Sequence, residues 1–216
     1  MRTPERTDPA GGMLIQFAKW PEYGRVKTRL AAVIGADQAL EAHLLLTRAV
    51  LDNLVASGYP LAFWWDRPQP PSVSHAHELL ERLCTLGVPQ FSQEGVDLGA
   101  RMAHALSSGL AQAPKALIVG SDCPSVDSGY IQQAYAALDK VDVVLGPSDD
   151  GGFVLIGARR DLGDTLTGIE WGTASVLGQT LAALSDAGFS VRQLANRWDV
   201  DDVTDWQRFL AGRFAS

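Results

Sequence analysis

Residues Lys115 to Ser125 read KALIVGSDCPS. Ala116, Leu117, Ile118 and Val119 stand in an unbroken apolar row, the pattern of a short strand covered on both faces. The row then breaks into Gly120, Ser121, Asp122, Cys123 and Pro124, a turn-rich composition. Asp122 therefore falls just past the carboxyl end of a central strand. In an open α/β sheet that edge is where ligands bind. Two roles are open to its carboxylate. It can cap the next helix, a role that Ser125 or Asp127 could share. Or it can hold Mg2+, which takes one or two carboxylates together with substrate phosphates.

Working outward, apolar runs predict strands over 13–18, 61–65, 88–91, 116–120, 141–145, 153–156 and 189–194. Helical patterns cover 36–57, 74–86, 98–112, 128–138, 173–187 and 202–212. In the first of these, Leu40, Leu44, Val50, Leu51 and Leu54 recur on one side at helical spacing, and Gly58 is a stop. The turn GPSDDGG (146–152) is short enough for the strands around it to form a hairpin or a wide bend. Strands alternating with helices define an α/β domain with a mostly parallel sheet.

The chain has 216 residues, 46% of them hydrophobic and 20% charged. One domain over residues 13–216 is expected, behind a flexible leader over residues 1–12 that lacks the apolar stretch of a signal peptide. The net charge of −7 argues against broad binding to nucleic acid. No apolar run approaches the roughly 20 residues that span a bilayer. Cys84 and Cys123 have no zinc-ligand spacing, and a reduced, cytoplasmic chain is the simplest reading.

Acids and bases collect in the loops that follow strands. Lys19, Arg25, Lys27 and Arg29 crowd the loop KWPEYGRVKTR with Gly24 among them. Such a loop is either a solvated basic segment or a cradle for phosphate oxygens. It matches neither a Walker A sequence nor GxGxxG. The run WDVDDVTD offers Asp199 and Asp201, which point the same way if extended, and Asp202 and Asp205, which can cap or begin the last helix. Asp149 and Asp150 sit between glycines, either as a tight turn or as a loop that lets a sugar or acceptor approach the backbone.

Four segments together resemble a bacterial family of small GT-A-type glycosyltransferases, catalogued as a domain of unknown function (DUF2064). They are FAKWPEYGRVKTRLA, QEGVDLGARM, GSDCPSV and LGPSDDGGFVLIG, followed by WGT and DVDDVTDW, and they run from residue 17 to 206. The family is similar to small nucleotidyltransferases. The resemblance implies a three-layer α/β/α nucleotide-diphospho-sugar transferase fold with a mixed central sheet. It implies Mg2+ or Mn2+ at Asp122, with Asp199 or Asp201 as the second metal position. It implies a nucleotide-sugar or NTP donor against Lys19, Arg25, Lys27 and Arg29, with Gln93, Asp97, Leu98 and Gly99 near the base or ribose. Asp149, Asp150, Gly151 and Gly152 match an acceptor-side turn, where either acid could serve as general base. Phe153 stands where the family commonly has tyrosine, and WGT replaces a more usual Trp-Ser-Thr. The acceptor is not named by any residue. Glycosyl transfer leads, with nucleotidyl transfer and a non-catalytic nucleotide-binding module as alternatives.

The remaining signals are weaker. His75 and His77 do not share a helix face, and His43 and His104 lie inside helical patterns. Trp64 or Trp65 could stack on a base or belong to the core. Cys123 has no histidine placed to activate it.

Overall fold

The computed structural model describes residues 11–70, 72 and 74–214, with residues 213 and 214 described by backbone alone. Of the expected leader, residues 1–10 lie outside this range. Gly12 lies against the Tyr135 ring, where a Cβ would come within 2.1 Å of Cε1.

Seven strands form one sheet: β1 (Met13–Ala18), β2 (Leu61–Trp65), β3 (Gln90–Ser92), β4 (Ala116–Gly120), β5 (Val143–Pro147), β6 (Phe153–Ala158) and β7 (Val191–Gln193). Their order is β3-β2-β1-β4-β6-β5-β7. β6 runs antiparallel to both of its neighbours, β4 and β5, and the other pairings are parallel. The helices are α1 (Thr28–Ile34), α2 (Ala36–Ala56), α3 (His77–Thr85), α4 (Leu98–Leu110), α5 (Ser128–Leu138), α6 (Val176–Asp186) and α7 (Val203–Phe214), with a 3-10 turn at Ser74–Ala76.

Alternation along the strands sends side chains to two cores. Leu14, Leu117 and Val144 pack with Leu51, Leu54, Leu83, Ile131 and Leu138 of α2, α3 and α5. Their neighbours Ile15, Ile118 and Leu145 face the other way, onto Met102, Leu106 and Leu184 of α4 and α6. The fold is thus the expected three-layer α/β/α sandwich with a mostly parallel mixed sheet. A third, smaller cluster joins Leu46 of α2 to Val200 and Phe209, and so seats α7.

Several boundaries differ from the sequence reading. Thr28–Ile34 forms a helix where a loop was expected up to residue 29 and no element before 36. It buries only Leu30 and has no side-chain cap, so it shows neither a period nor a start signal. Gly35, at φ 87°, separates it from α2. α6 begins at Val176 rather than 173, because Thr173 and Ser175 bond each other within a turn. β5 begins at Val143 rather than 141 because the Val141 amide is spent on the turn after α5, donating to the Ala137 carbonyl at 3.1 Å. The turn between β5 and β6 closes a hairpin.

Asp127 is the N-cap of α5, its carboxylate accepting from the Tyr130 amide at 2.8 Å. Asp122 is therefore free of the capping role. Asp127→Ala is expected to cost about 1 kcal/mol in denaturant unfolding.

Candidate functional site

The strand directions bring the loops after β1, β2, β4, β5 and β7 to one edge of the sheet. Because β6 is reversed, its first residue, Phe153, also lies at that edge. β1 connects toward β2 on one side, while β4 begins the other half of the sheet. The crevice between β1 and β4 is the topological switch point, where ligands bind in such sheets. A cleft of about 630 Å3 opens there, lined by Lys19, Lys27, Arg29, Gln93, Asp122, Asp150, Phe153, Trp171, Asp199 and Asp201 among others.

Asp122, Asp199 and Asp201 each present a carboxylate oxygen, and these oxygens lie within 4.8 Å of one another. The local cause is a two-residue period. Val200 turns into the small core beside Leu46 and Phe209, with no exposure, while Asp199 and Asp201 on either side line the cleft. The Val200 amide donates to the Asp122 carbonyl at 2.9 Å, fastening the two acidic segments together. Beyond them Asp202 accepts from the amides of Thr204 and Asp205, and Asp205 accepts from those of Asp201 and Asp202. This reciprocal capping fixes the exit into α7.

The cations approach from the loop after β1 and the first turn of α1. Lys27 Nζ donates to Asp122 Oδ2 at 2.9 Å and to the Val200 carbonyl at 2.5 Å. Its side chain is only 7% exposed. Lys27 has φ 46°, and no other non-glycine among the described residues has a positive φ. Arg29 reaches Asp201 at 3.1 Å from a mostly exposed position. Lys19 lines the cleft as an exposed side chain. Arg25 turns instead to Glu22 at 3.2 Å and does not line the cleft.

Charge in the cluster is unevenly matched. Burial alone would push Asp122 up, but the charge and hydrogen bond of Lys27 hold its carboxyl below the usual range. Burial lowers Lys27, and the Asp122 charge more than offsets this, leaving it raised. Asp199 has no such partner. Burial, then the charges of Asp122, Asp150 and Asp201, push it up to about 7. Negative charge is thus concentrated here beyond what the lysine and arginine neutralise.

The hairpin turn separates its two acids. Asp150 lines the cleft and is held by the Ser148 hydroxyl and by the Gly152 amide at 3.0 Å. Asp149 is 62% exposed, lies 3.8 Å from Arg208 and does not line the cleft. Gly152 lines it too. Gly151, at φ 89°, packs where a Cβ would meet the Ala174 carbonyl at 2.3 Å, so it serves the turn.

The segment before α4 is likewise divided. Gln93 lines the cleft, its amide donating to the Trp64 carbonyl at 3.1 Å. Asp97 is the N-cap of α4 and accepts from the Ala100 amide at 2.8 Å. Gly99 packs on Leu166 and Trp171, where a Cβ would come within 2.5 Å of the Leu166 carbonyl. Neither lines the cleft, and Trp64 and Trp65 are core residues. Trp65 stacks on Trp20 with centroids 3.8 Å apart, and Trp64 packs beside Phe91 and His104. The aromatic wall of the cleft comes from Phe153 and Trp171, edge to face at 6.3 Å. The sequence reading did not select Trp171 for the site, although it opens the WGT segment. His43 also lines the cleft. Burial holds it down to about 4, so it is neutral, and its Nε2–H donates to the Lys19 carbonyl at 3.0 Å. Burial raises the Cys123 thiol well above its usual range, which suits no nucleophile.

This sheet order and strand-end site define a nucleotide-diphospho-sugar transferase-like fold, the fold of glycosyl- and nucleotidyltransferases. The chain belongs to the family described as "Uncharacterized protein conserved in bacteria (DUF2064)", which matches residues 58–173. It is similar to a crystal structure described as that of a "putative nucleotide-diphospho-sugar transferase" from Desulfovibrio desulfuricans G20. Identity is 32%, the TM-score is 0.79, and 88% of this chain and 82% of that one are covered. The fold is also that of the inositol-1-phosphate CTP transferase from T. maritima, at 16% identity and TM-score 0.56, covering 91% of each chain. It is shared with Rv0371C from Mycobacterium tuberculosis H37Rv, a structure complexed with manganese, at 17% identity and TM-score 0.53, covering 93% of this chain and 98% of that one. No functionally curated protein matches the chain. No described helix is long and apolar enough to cross a membrane.

Proposed function

We propose that this protein is a divalent-metal-dependent glycosyltransferase that takes a nucleotide-diphospho-sugar as donor. One observation carries the reading: Asp122, Asp199 and Asp201 converge within 4.8 Å at the β1/β4 switch point, with Lys27 and Arg29 beside them. Three hard oxygen donors suit Mg2+ or Mn2+, and burial, with the charges of Asp122, Asp150 and Asp201, raises Asp199 to about 7, a cost that such an ion would relieve. The ion would neutralise charge on the donor's diphosphate. Lys19, Lys27 and Arg29 add positive charge in the same cleft, and Gln93, which also lines it, would contact the base or ribose.

Asp150, rather than Asp149, is the group placed to take a proton from an acceptor hydroxyl. Its carboxylate is oriented by Ser148 and Gly152 and faces the cleft. Asp150→Asn is expected to lower turnover about 100-fold or more. Asp149→Asn, which removes only a solvated ion pair, should leave it within about twofold. Equal losses in steady-state assays of the two variants would remove the assignment.

Nucleotidyl transfer from an NTP is the second reading. It is supported by the near full-length likeness in fold to a CTP transferase. Both reactions use the same sheet edge and the same cation; they differ in the leaving group. Calorimetric titration with UDP-, GDP-, ADP- and CDP-sugars and NTPs, with and without Mn2+, tests both. Mn2+-dependent binding of one sugar nucleotide, followed by release of free nucleoside diphosphate, supports the first reading. Release of pyrophosphate supports the second. Binding without turnover with any acceptor reduces the protein to a nucleotide-binding module. No binding to any of them counts against all three.

A further inference from the structure

Both oxygens of Asp122 are already engaged. Oδ2 accepts from Lys27 Nζ at 2.9 Å, and Oδ1 lies 3.4 Å from the Cys123 thiol that donates to it. The lysine is the stronger partner, a charged donor whose side chain is only 7% exposed. Its second acceptor, the Val200 carbonyl at 2.5 Å, lies between the other two acids. The ammonium therefore bridges the same two chain segments that a cation held by Asp122, Asp199 and Asp201 would bridge.

We infer that Lys27 is the resident counter-ion of the acidic cluster and competes with a divalent ion for Asp122. This rests on the reading of the three acids as metal ligands. A buried ammonium keeps an anionic partner because an unpaired charge in low dielectric is costly. A divalent ion displaces it from Asp122, at least cost when another anion enters the cleft that it lines. Lys27 also holds a left-handed backbone, φ 46° and ψ 47°, a conformation unfavourable for a side chain of this kind. A phosphate that takes the ammonium thereby raises the affinity for metal, and the metal raises the affinity for phosphate by the same factor.

A different role for Lys27 is a tie that holds the two acidic segments in place, and it predicts the opposite result. The test is Mn2+ binding to the metal-stripped full chain without nucleotide, read from the electron paramagnetic resonance of free Mn2+. Lys27→Gln, Lys27→Arg and Asp199→Asn are compared with the unmodified protein, each checked for a cooperative melt. Removing a positive charge a few ångströms from the ion is expected to tighten Mn2+ roughly tenfold in Lys27→Gln. Lys27→Arg, which keeps the charge, is not expected to tighten it, and Asp199→Asn should weaken it. Unchanged or weaker binding in Lys27→Gln, with binding still weakened in Asp199→Asn, overturns the inference and leaves the metal reading intact. No Mn2+ binding by any form overturns both. A second measurement needs no variant. The 15N signal of the buried Lys27 ammonium should lose its protection from exchange when Mg2+ saturates the protein. Its persistence with Mg2+ bound would also overturn the inference.

Discussion

Asp122→Asn is expected to abolish the Mn2+-dependent part of nucleotide binding and to lower turnover about 1,000-fold with the donor identified by titration. The size follows from position. Asp122 follows β4 at the middle of the sheet, and its carboxylate lies beside those of Asp199 and Asp201 and accepts from Lys27. An amide of the same shape keeps a hydrogen bond to Lys27 but offers the ion no charge. The effect is not attributable to a lost helix cap, since Asp127 fills that role. Calorimetry and steady-state kinetics check it together. Turnover within tenfold of the unmodified protein would sink the assignment.

Asp199→Asn should do the reverse to stability. The folded protein holds the Asp199 carboxyl at about 7, against an ordinary value of 3.8. Between these values the folded state binds the proton more tightly than the unfolded chain. Stability therefore falls as pH rises from about 4 to about 7, and the full penalty is present above that window. The whole shift would correspond to about 4 kcal/mol. Relaxation among neighbouring acids and solvent screening reduce the expected figure to about 2 kcal/mol. In chelator at pH 8, Asp199→Asn should melt about 4–8 °C above the unmodified protein, and the gap should shrink toward zero near pH 4. Saturating Mn2+ should invert the order, because the ion binds only the folded form that retains its ligands. A variant that melts at or below the unmodified protein in chelator at pH 8 would show that Asp199 is not held at an electrostatic cost.

The elements that could be read from sequence are those with strong local chemistry. KALIVG is apolar on both faces and became β4 at residues 116–120, as expected. Met13–Ala18 and Leu61–Trp65 were legible for the same reason. Thr28–Ile34 was not, because one buried leucine cannot display a period. In the site, a loop residue near the right strand end was easy to nominate, but the direction of its side chain was not. Asp149 and Asp150 are neighbours in sequence, yet only Asp150 turns into the cleft. Asp97 is a good cap by type and serves as one. Trp64 ends a strand at the right edge, but the pleat sends it to the core beside His104. Trp171 comes from an irregular loop more than 45 residues after β4, and no local pattern aims it at the cleft.

The bond from the Val200 amide to the Asp122 carbonyl has a bearing on how the protein assembles in time. It joins positions 78 residues apart in sequence, and Lys27 spans 173 residues to the same valine. Contacts of such long sequence separation carry the loop-closure cost that slows folding. A chain that has paired β1 with β2 and β4 already possesses its central sheet. It possesses only one of the three acids until the segment after β7 swings back and Val200 finds its socket beside Leu46. Completion of the three-acid cluster therefore depends on that long-range contact, and a partly folded form with most of its sheet in place carries an incomplete one.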